Sequence, residues 1–451
     1  MRLTRFEVTH FKNFRRAVML DALDGFDVIH GENNVGKSNL LQAIDLFFFL
    51  VGSMGKLKDG LQEELDGHEA TAARLVEEGR MVGVRFLVNM HTLAQRGFIS
   101  DTMFNLGEPQ PIELVGDVEV TQADWVRAGV QGSEYASQRV HLRVLRSQHG
   151  SVAIHLLSHA ATPNAWFNFR SFTNLVSASF TTRADVRAHG FILLDVFRRV
   201  AGVDVAEDAT KLRRTVTDDL LLALYDAKES VEPGVFQRWE LFERAMNSLG
   251  PIIGDGRFVI TYNRQMGRAI LAVQRGALRI PIETMGSGVQ QIAALVARVL
   301  LANSAIVAVE EPELNLRYEM QLRVRDMLRD IVASGVGPQQ ILVTSHSPAF
   351  EAGAHFYGMR LTDEGPVVER RPTSEAPAYL QLGTVSPPMQ GGAWGYVSSE
   401  GLLRLSDEVR AELGVTQGGG VVVLKREGHP YVEVLSNEQF FGLLHGEKDE
   451  G

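Results

Sequence analysis

A glycine-rich loop between an apolar run and a helical pattern constrains the fold of this chain more than any other feature. Residues 25–30 read GFDVIH, residues 31–38 read GENNVGKS, and apolar residues recur at helical spacing after them. The loop matches G-x-x-x-x-G-K-[ST], and its strand and helix flanks are those that this phosphate-binding motif requires. The order predicts an α/β fold of the P-loop type. The alternative is a glycine-containing turn that fits the pattern by chance.

Each position of the loop has a chemical reason. Gly31 and Gly36 allow backbone torsions and a close approach that a Cβ atom would obstruct, so that successive N–H groups can surround a phosphate. We expect Lys37 to reach the β- and γ-phosphates and the Ser38 hydroxyl to ligate Mg²⁺. The helix that begins near Lys37 adds the positive end of its dipole. The loop therefore predicts a bound nucleotide with magnesium.

Two later apolar strands also end in polar residues. Residues 305–309 run into Glu310 and Glu311, and residues 341–344 are followed by His346 after one serine. Because the carboxyl ends of parallel strands meet at one edge of a sheet, we expect these side chains near the loop. Glu310 is expected to hold the magnesium shell through water, Glu311 to orient or deprotonate the attacking water, and His346 to contact the γ-phosphate or that water. The alternatives are a solvated acidic loop and a structural histidine.

A Gly-Ser-Gly turn at residues 286–288 opens the next predicted helix. Such a turn can bind an anion, because the first backbone N–H groups of a helix have no partner within the helix. Ser287 and Gly288 are therefore candidates for a second phosphate contact, supplied by another subunit. The alternative is an ordinary helix cap without a function.

The remaining segments predict layers around a parallel sheet. Residues with high β-propensity form three segments that indicate an antiparallel layer, namely 81–90, 140–145 and 151–157. The pattern becomes helical at 184–249, which indicates a helical insert or lid. Strands are expected again at 268–274 and 279–283. Alternating helices and strands follow, and this alternation is typical of a parallel sheet.

Composition excludes several classes of protein. The 451 residues include no cysteine, which excludes disulfides, thiolate metal sites and thiol nucleophiles. The most apolar run, LFFFLVG at 46–52, is far shorter than the roughly 20 residues of a membrane span, so we expect a cytoplasmic protein without a membrane partner. A formal charge of −10 argues against binding nucleic acid through general positive charge. A local basic track is expected instead at Arg198, Arg199, Lys211, Arg213 and Arg214.

Taken in order, these motifs resemble the ABC-type ATPase heads of the RecF, SMC and OLD families. The run FKNF at residues 11–14 precedes the loop as a similar run does in those families. The resemblance covers residues 1–370. It implies a head that binds ATP and Mg²⁺ and pairs with a second copy, with each ATP between one loop and the partner's signature turn. The nucleotide-binding positions that it implies are Lys12, Asn13, Gly31, Asn33, Asn34, Val35, Gly36, Lys37, Ser38 and Asn39.

The same resemblance assigns the remaining roles. It implies magnesium binding for Ser38 and Glu310, catalysis for Glu311, His346 and Lys37, and the signature turn for Ser287 and Gly288. The serine of that turn stands one position later than in the family, and residues 314–317 replace a His-Pro-containing loop. The insert at 184–249 is too short for a coiled-coil arm. The residues after 346 lack the acidic cluster of a nuclease, so we expect a compact head without nuclease activity.

Two further segments and a tail are expected after the head. Prolines and glycines at 371–396 indicate a linker. Residues 397–440 read as strand, short helix, turn, strand, turn and strand, and they resemble a SpoVT/AbrB swapped-hairpin domain. Four basic and six acidic residues give its segment 397–436 a charge of −2, which favours dimerisation or partner docking over DNA contact. Residues 441–451 form the tail.

These expectations combine into an ATP-driven switch. We expect a homodimer or higher homo-oligomer whose heads close on ATP and reopen on hydrolysis, in a DNA-related process such as prokaryotic defence or DNA repair, together with a separately encoded effector. The alternative is a DNA-binding transcriptional regulator that uses the AbrB-like module and keeps ATP as a structural ligand. Glu311 discriminates between them, because a structural nucleotide needs no carboxylate beside an attacking water. The FKNF start and the EEPE run at 310–313 disfavour a transporter ATPase.

Overall fold

The structure of the chain is a computed structural model that forms two compact units, Met1–Pro372 and Thr373–Gly451. The residues that it describes are 1–54, 82–89, 93–94, 98, 103–104, 110–127, 137–146, 151–158, 172, 175–176, 190–194, 218–250, 254, 256–302, 304–350, 355–372, 395–397, 403–405, 409, 411, 413, 421–424 and 433–436. No helix within these ranges combines the length and the apolar character needed to cross a membrane.

Three β-sheets and the helices around them make up the described part of the first unit. Its strands are β1 (Arg2–Thr9), β2 (Val18–Asp21), β3 (Phe26–Gly31), β4 (Val82–Asn89), β5 (Ile112–Glu119), β6 (Ser137–Arg146), β7 (Ser151–Ser158), β8 (Phe191–Leu194), β9 (Arg257–Asn263), β10 (Arg268–Arg275), β11 (Leu278–Pro281), β12 (Ile306–Glu310), β13 (Gln340–Ser345), β14 (His355–Thr362) and β15 (Gly365–Pro372). Its helices are α1 (Lys37–Met54), α2 (Gln122–Arg127), α3 (Asp218–Lys228), α4 (Pro233–Asn247), α5 (Ser287–Leu301) and α6 (Tyr318–Ser334).

The sheet that carries the glycine-rich loop has the strand order β15-β14-β3-β13-β12-β8. The strands from β14 to β8 run parallel, and β15 pairs antiparallel with β14 at one edge. Every residue of β12 and β13 is buried, as expected for strands that are covered on both faces. The register aligns Ser345 with His30 and Thr344 with Glu310, so β3, β13 and β12 end at the same edge. The predicted parallel sheet is confirmed.

Two antiparallel sheets accompany the parallel one. The larger has the order β2-β1-β5-β6-β7-β4, and its strands β4, β6 and β7 correspond to the three segments predicted for an antiparallel layer. The smaller has the order β11-β10-β9, with both pairs antiparallel. Helices α3 and α4 pack on β9 and on each other, and both contact α5.

Helix α1 lies between the parallel sheet and the larger antiparallel sheet. It contacts β1 and β5 of one sheet and β3 and β8 of the other, and between Leu40 and Gly52 only Gln42 is not fully buried. The Phe47 ring meets Phe6 edge-on at 5.8 Å between centroids, and Phe48 stacks on Phe191 at 5.4 Å. A helix that is covered on every side needs apolar residues all round, which explains the LFFFLVG run.

The prediction of a helical insert over 184–249 is wrong at its first described strand. Residues 191–194 (FILL) form β8, which pairs in parallel with β12 at the edge of the sheet that carries the glycine-rich loop. A short apolar run does not by itself distinguish a buried strand from a buried helix, and here β12 supplies the missing partner. The helices expected later in the insert are present as α3 and α4. Residues 195–217, including the expected basic track, lie outside the described residues.

The second unit contains two short hairpin-like pairs. Strands β16 (Gly395–Val397) and β17 (Leu403–Leu405) pair antiparallel, as do β18 (Val421–Leu424) and β19 (Glu433–Ser436). The described residues at the start of the expected module thus belong to two strands where we expected one, and β16 begins inside the segment expected to be linker. The remaining expectations for 373–394, for the short helix and for the tail at 441–451 fall largely outside the described residues.

The neighbouring strand β14 explains why residue 31 is a glycine. A Cβ atom there would lie 2.3 Å from the backbone oxygen of Met359 in β14, a separation that only backbone movement could relieve. Gly31 is not among the residues with a positive φ, so the expected freedom of its torsion is not the constraint. This glycine therefore sets the spacing between β3 and β14.

We expect Gly31→Ala to lower the free energy of unfolding by about 2 kcal/mol or more, because the added methyl group overpacks a sheet that cannot yield locally. Gly234→Ala is the matched control, since a Cβ atom at that position meets nothing within 4 Å. Urea unfolding of both variants without nucleotide checks the prediction. An unchanged unfolding midpoint in Gly31→Ala would contradict it.

Candidate active site

The glycine-rich loop borders a cavity of about 530 Å³. That volume is in the range of small-molecule sites. The residues that line it are Asn33, Asn34, Gly36, Lys37, Ser38, Asn39 and Glu311. The structure thus brings six of the predicted loop positions and one of the predicted carboxylates to one cavity, although they are separated by more than 270 positions in the sequence.

The loop itself adopts a conformation that its residue types favour. Asn34 has φ 65° and Gly36 has φ 112°, and asparagine and glycine tolerate such angles best. A Cβ atom at Gly36 would also approach the Asn13 amide to 2.8 Å. Of the two glycines in the motif, Gly36 is therefore the one whose torsion requires glycine.

Lys37 begins helix α1 and is buried at the base of the loop. Its ammonium donates hydrogen bonds of 2.7 Å to the carbonyl oxygens of Gly31 and Glu32, which holds the cation on the inner side of the loop. Ser38 follows it and is exposed to the cavity. A buried cation and an exposed hydroxyl at a helix N-terminus together suit a phosphate group.

Lys12, Asn13 and Val35 support the loop without lining the cavity. The Asn13 amide donates to the Val35 carbonyl oxygen at 3.4 Å and accepts a 2.8 Å hydrogen bond from Asn39, while Lys12 donates to Gln42 in α1. The Val35 side chain is 4% exposed and belongs to the core. The structure therefore places these three predicted binding residues behind the loop, where they fix its shape.

The two adjacent carboxylates have different environments. Glu310 is the last residue of β12 and is buried, whereas the Glu311 side chain is 26% exposed and lines the cavity. Glu311 has φ 42°, and its N–H donates to the Thr344 carbonyl oxygen at 2.9 Å. A left-handed conformation at a non-glycine residue costs about 1–2 kcal/mol. That turn directs Glu311 away from the strand and toward the loop.

Glu313 is a functional candidate that our sequence analysis missed. Its side chain is 2% exposed, and one oxygen accepts hydrogen bonds from the Ser345 hydroxyl at 2.6 Å and from the His346 N–H at 2.8 Å. Burial raises the pKa of the Glu313 carboxyl, and the hydrogen bonds from Ser345 and His346 oppose that shift. The sequence shows Glu313 as the third glutamate of the EEPE run. Nothing in the sequence distinguishes it from Glu310 and Glu311, because its burial becomes visible only in the fold.

His346 lies beside these carboxylates, as its position after β13 predicted. Its Nδ1 atom is 3.2 Å from Glu313 Oε1 and 3.9 Å from Glu311 Oε1, and its side chain is 37% exposed. The ring therefore turns its Nδ1 edge to the two carboxylates. The structure brings His346 to Glu311 but does not place it among the residues that line the cavity.

The Gly-Ser-Gly turn opens α5, with Gly286 as the N-cap residue. Ser287 is exposed, and neither it nor Gly288 lines the cavity of the glycine-rich loop. A Cβ atom at Gly288 would lie within 3.4 Å of Leu316 and Met320. The Gln291 amide, one turn into the helix, donates to the Leu314 carbonyl oxygen at 2.8 Å. The turn is thus fixed to the segment that follows the three glutamates.

Comparisons with known proteins agree with this geometry. A sequence-family model described as "AAA ATPase domain" matches residues 236–350, which hold the Gly-Ser-Gly turn, the glutamates and His346. No curated protein matches the chain. The family match supports ATPase activity for the part of the chain that carries these motifs.

Solved structures of SMC heads are similar to most of this chain. A head bound to the C-winged helix domain of ScpA has a TM-score of 0.50 and 18% identity, covering 83% of this chain and 99% of that one. The SMC head domain from Thermotoga maritima has a TM-score of 0.42 and 12% identity, covering 82% and 98%. A head with an extended coiled coil, bound to a ScpA domain derived from Pyrococcus furiosus, has a TM-score of 0.45 and 15% identity, covering 85% and 99%. The first of these shows that the chain has the mixed α/β fold of an SMC head.

His30, the residue before Gly31, is a titratable group that this fold keeps neutral. Its ring lies edge-on to Phe356 at 6.2 Å between centroids. Burial lowers the pKa of the His30 imidazole to about 4, and the positive charges of Lys37 and Arg371 act in the same direction. The unfolded chain therefore binds a proton at His30 below about pH 6.5, whereas the folded chain binds one only near pH 4.

Between pH 7.5 and pH 5.0, the unfolding free energy of the wild-type chain should fall by about 2 kcal/mol more than that of His30→Gln. The reason is that acid protonates His30 in the unfolded chain first, which favours unfolding throughout this window. Urea titrations at the two pH values measure the difference. Identical pH dependence of the two proteins would contradict the prediction.

Proposed function

We propose that this chain is a magnesium-dependent ATPase that acts as an ATP-driven dimeric switch in a DNA-related process. The observation that carries the proposal is that Glu311 lines the same cavity as Lys37 and Ser38. A carboxylate opposite a phosphate-binding loop can orient or deprotonate a water molecule at the terminal phosphate. A site that only holds nucleotide has no use for a carboxylate in a strained backbone conformation.

The residues present fit ATP and Mg²⁺. Lys37 and the backbone N–H groups of the loop would hold the phosphates, while Ser38 and Glu310 would hold the magnesium ion and its water. The described residues contain no cluster of three or more His, Asp or Glu side chains suited to a metal. Magnesium bound with a nucleotide needs no such cluster, because it keeps several waters and takes few protein ligands. When bound, the ion would neutralise charge on the phosphates.

The dimeric part of the proposal rests on the Gly-Ser-Gly turn. Ser287 stands exposed at the start of α5, outside the cavity of its own chain. A second copy that faces this cavity could supply its Ser287 and Gly288 to the nucleotide, as the resemblance to ABC-type heads implies. ATP would then stabilise the closed pair through contacts that exist only in that state.

The DNA-related part rests on the sheet β9–β11. Residues 256–282 contain five arginines and no aspartate or glutamate, in a chain whose formal charge is −10. The register places Arg257 and Arg279 on either side of Gln274, so the two exposed guanidinium groups share one face of the sheet. An arginine row without interspersed acids suits the phosphate backbone of a nucleic acid. The basic track expected near Arg198 lies outside the described residues and stays a second candidate for the DNA contact.

The second unit and the partners complete the proposal. The AbrB-like interpretation of residues 397–440 would provide oligomerisation that does not depend on nucleotide, and a separately encoded effector in the cytoplasm would read the state of the heads. Defence against foreign DNA and DNA repair are the processes that this combination suits. The alternative remains a DNA-binding transcriptional regulator with ATP as a structural ligand.

We expect Lys37→Ala to weaken ATP binding by at least about 100-fold, because it removes the buried cation. Glu311→Gln should keep ATP affinity within a few-fold and lower the hydrolysis rate by at least about 100-fold, because it removes only the group that acts on water. Glu319→Gln, an exposed carboxylate in the first turn of α6, is the matched control. Phosphate release and equilibrium ATP binding distinguish these outcomes. Wild-type turnover in Glu311→Gln would remove the proposed catalytic role of Glu311. No turnover in the wild type would favour the structural-ligand alternative.

We also expect the double variant Arg257→Gln/Arg279→Gln to lower the salt slope of duplex DNA binding by about two, since each arginine on a phosphate adds close to one. Arg2→Gln/Arg16→Gln is the control, because those arginines lie outside this sheet and already pair with carboxylates. Fluorescence anisotropy over a salt series, without ATP, measures the slopes. Equal slopes for the wild type and both double variants would exclude this face as the DNA contact.

A further inference from the structure

We propose that Glu313 is a positioning residue for His346 in ATP hydrolysis, an inference that rests on the proposed ATPase function. Glu313 is not adjacent to the loop and does not line the cavity. Its contacts are instead with the segment that carries His346, from Ser345 to the imidazole itself. One buried carboxylate thus accepts a hydrogen bond from the main chain of His346 and lies 3.2 Å from its ring.

The main-chain contacts fix where His346 stands. Glu313 Oε1 accepts hydrogen bonds from the Ser345 hydroxyl and the His346 N–H, and the Ser345 oxygen in turn accepts one from the Ser347 N–H at 3.0 Å. These contacts cap the end of β13, where the strand gives way to a turn. Because Glu313 is 2% exposed, solvent does not compete for them.

The same carboxylate lies beside one ring nitrogen of His346. Glu313 Oε1 lies 3.2 Å from His346 Nδ1, whereas Glu311 lies 3.9 Å from the same atom. A carboxylate beside Nδ1 favours the tautomer that carries its proton there. The opposite ring nitrogen, Nε2, is then an acceptor directed away from both carboxylates. As an acceptor, Nε2 can receive a hydrogen bond from a water molecule, whereas an ionised phosphate oxygen has no proton to donate to it.

The backbone after Glu311 allows this division between the carboxylates. Glu311 has a left-handed backbone conformation and Pro312 follows it, and together they separate the side chains of Glu311 and Glu313. Glu311 therefore lines the cavity, while Glu313 lies beneath the turn that carries His346. Gln321 fixes the far end of this segment, since its amide donates to the Leu316 carbonyl oxygen at 2.8 Å and its oxygen accepts from the Ser347 hydroxyl at 2.5 Å. The segment and the histidine turn therefore form one hydrogen-bonded unit.

Glu313→Gln is the informative variant, because its amide oxygen can still accept from Ser345 and from the His346 N–H while the charge beside Nδ1 is lost. We expect the rate constant for hydrolysis to fall by about tenfold or more, with ATP affinity and thermal stability close to those of the wild type. Glu319→Gln again serves as the control. A loss confined to ATP affinity, or wild-type kcat, would overturn the assignment.

A double-mutant cycle separates positioning from a general structural role. If Glu313 acts through His346, then Glu313→Gln should have no further effect on kcat in a chain that already carries His346→Ala. Additive losses would show that Glu313 acts independently of the histidine and would overturn the inference. A wild-type chain that binds ATP without turnover would overturn the proposed function instead, and the cycle would have no rate to report.

A measurement without nucleotide tests the positioning of His346 by Glu313 even if the wild-type chain does not hydrolyse ATP. Long-range ¹H–¹⁵N spectra of the histidine side chains report the tautomer of each ring, and His346→Gln assigns the relevant signal. We expect the Nδ1-protonated tautomer of His346 in the wild type and in Glu319→Gln, and a mixture in Glu313→Gln. The same tautomer in all three proteins would show that Glu313 does not position the ring.

Discussion

The parallel pairing of β13 with both β3 and β12 is the constraint on which the candidate site depends. Its register aligns Ser345 with His30 and Glu310 with Thr344, so three strands from distant parts of the chain end together. Gly31 and Glu310 are the last residues of β3 and β12, and the rest of the loop, Glu311 and His346 follow directly after the three strand ends. Every residue of β12 and β13 is buried, and a slip by one residue would turn each side chain to the opposite face of the sheet, away from the neighbours on which it now packs.

Within this frame, one short segment gives three chemically identical side chains different surroundings. Glu310 ends a buried strand, Glu311 faces the cavity after a strained turn, and Glu313 lies beneath His346. Glu313 has its hydrogen-bond partners in Ser345 and His346, on the strand end beside it. The segment continues to Leu314, whose carbonyl oxygen binds Gln291 of α5, so the Gly-Ser-Gly helix and the glutamates share one support.

The sequence was sufficient for the parts of the site that follow directly from strand ends and glycine positions. Gly36, Lys37, Ser38 and Glu311 could be predicted because a phosphate-loop motif and an acidic strand end both indicate the same edge of a parallel sheet. The other features of the fold and the site depend on contacts between distant segments, which the sequence does not show. FILL at 191–194 looked helical until β12 supplied a partner, and the reason for Gly31 is a carbonyl oxygen of β14. Glu313 could not be told from its neighbours, because its burial requires Ser345 to approach it.

The long separation between paired strands has a consequence for how the chain folds during synthesis. Asp27 in β3 meets its partner Gln340 across 313 residues, and the other neighbour of β3 is β14, which comes later still. At about 5–20 residues per second, a ribosome takes roughly 15–60 s to make the interval. For that time β3 has emerged without β13 and β14, its two neighbours in the sheet. Chaperones that shield apolar segments are therefore expected to bind the amino-terminal quarter of the nascent chain, and pauses in translation before β13 would prolong that exposure.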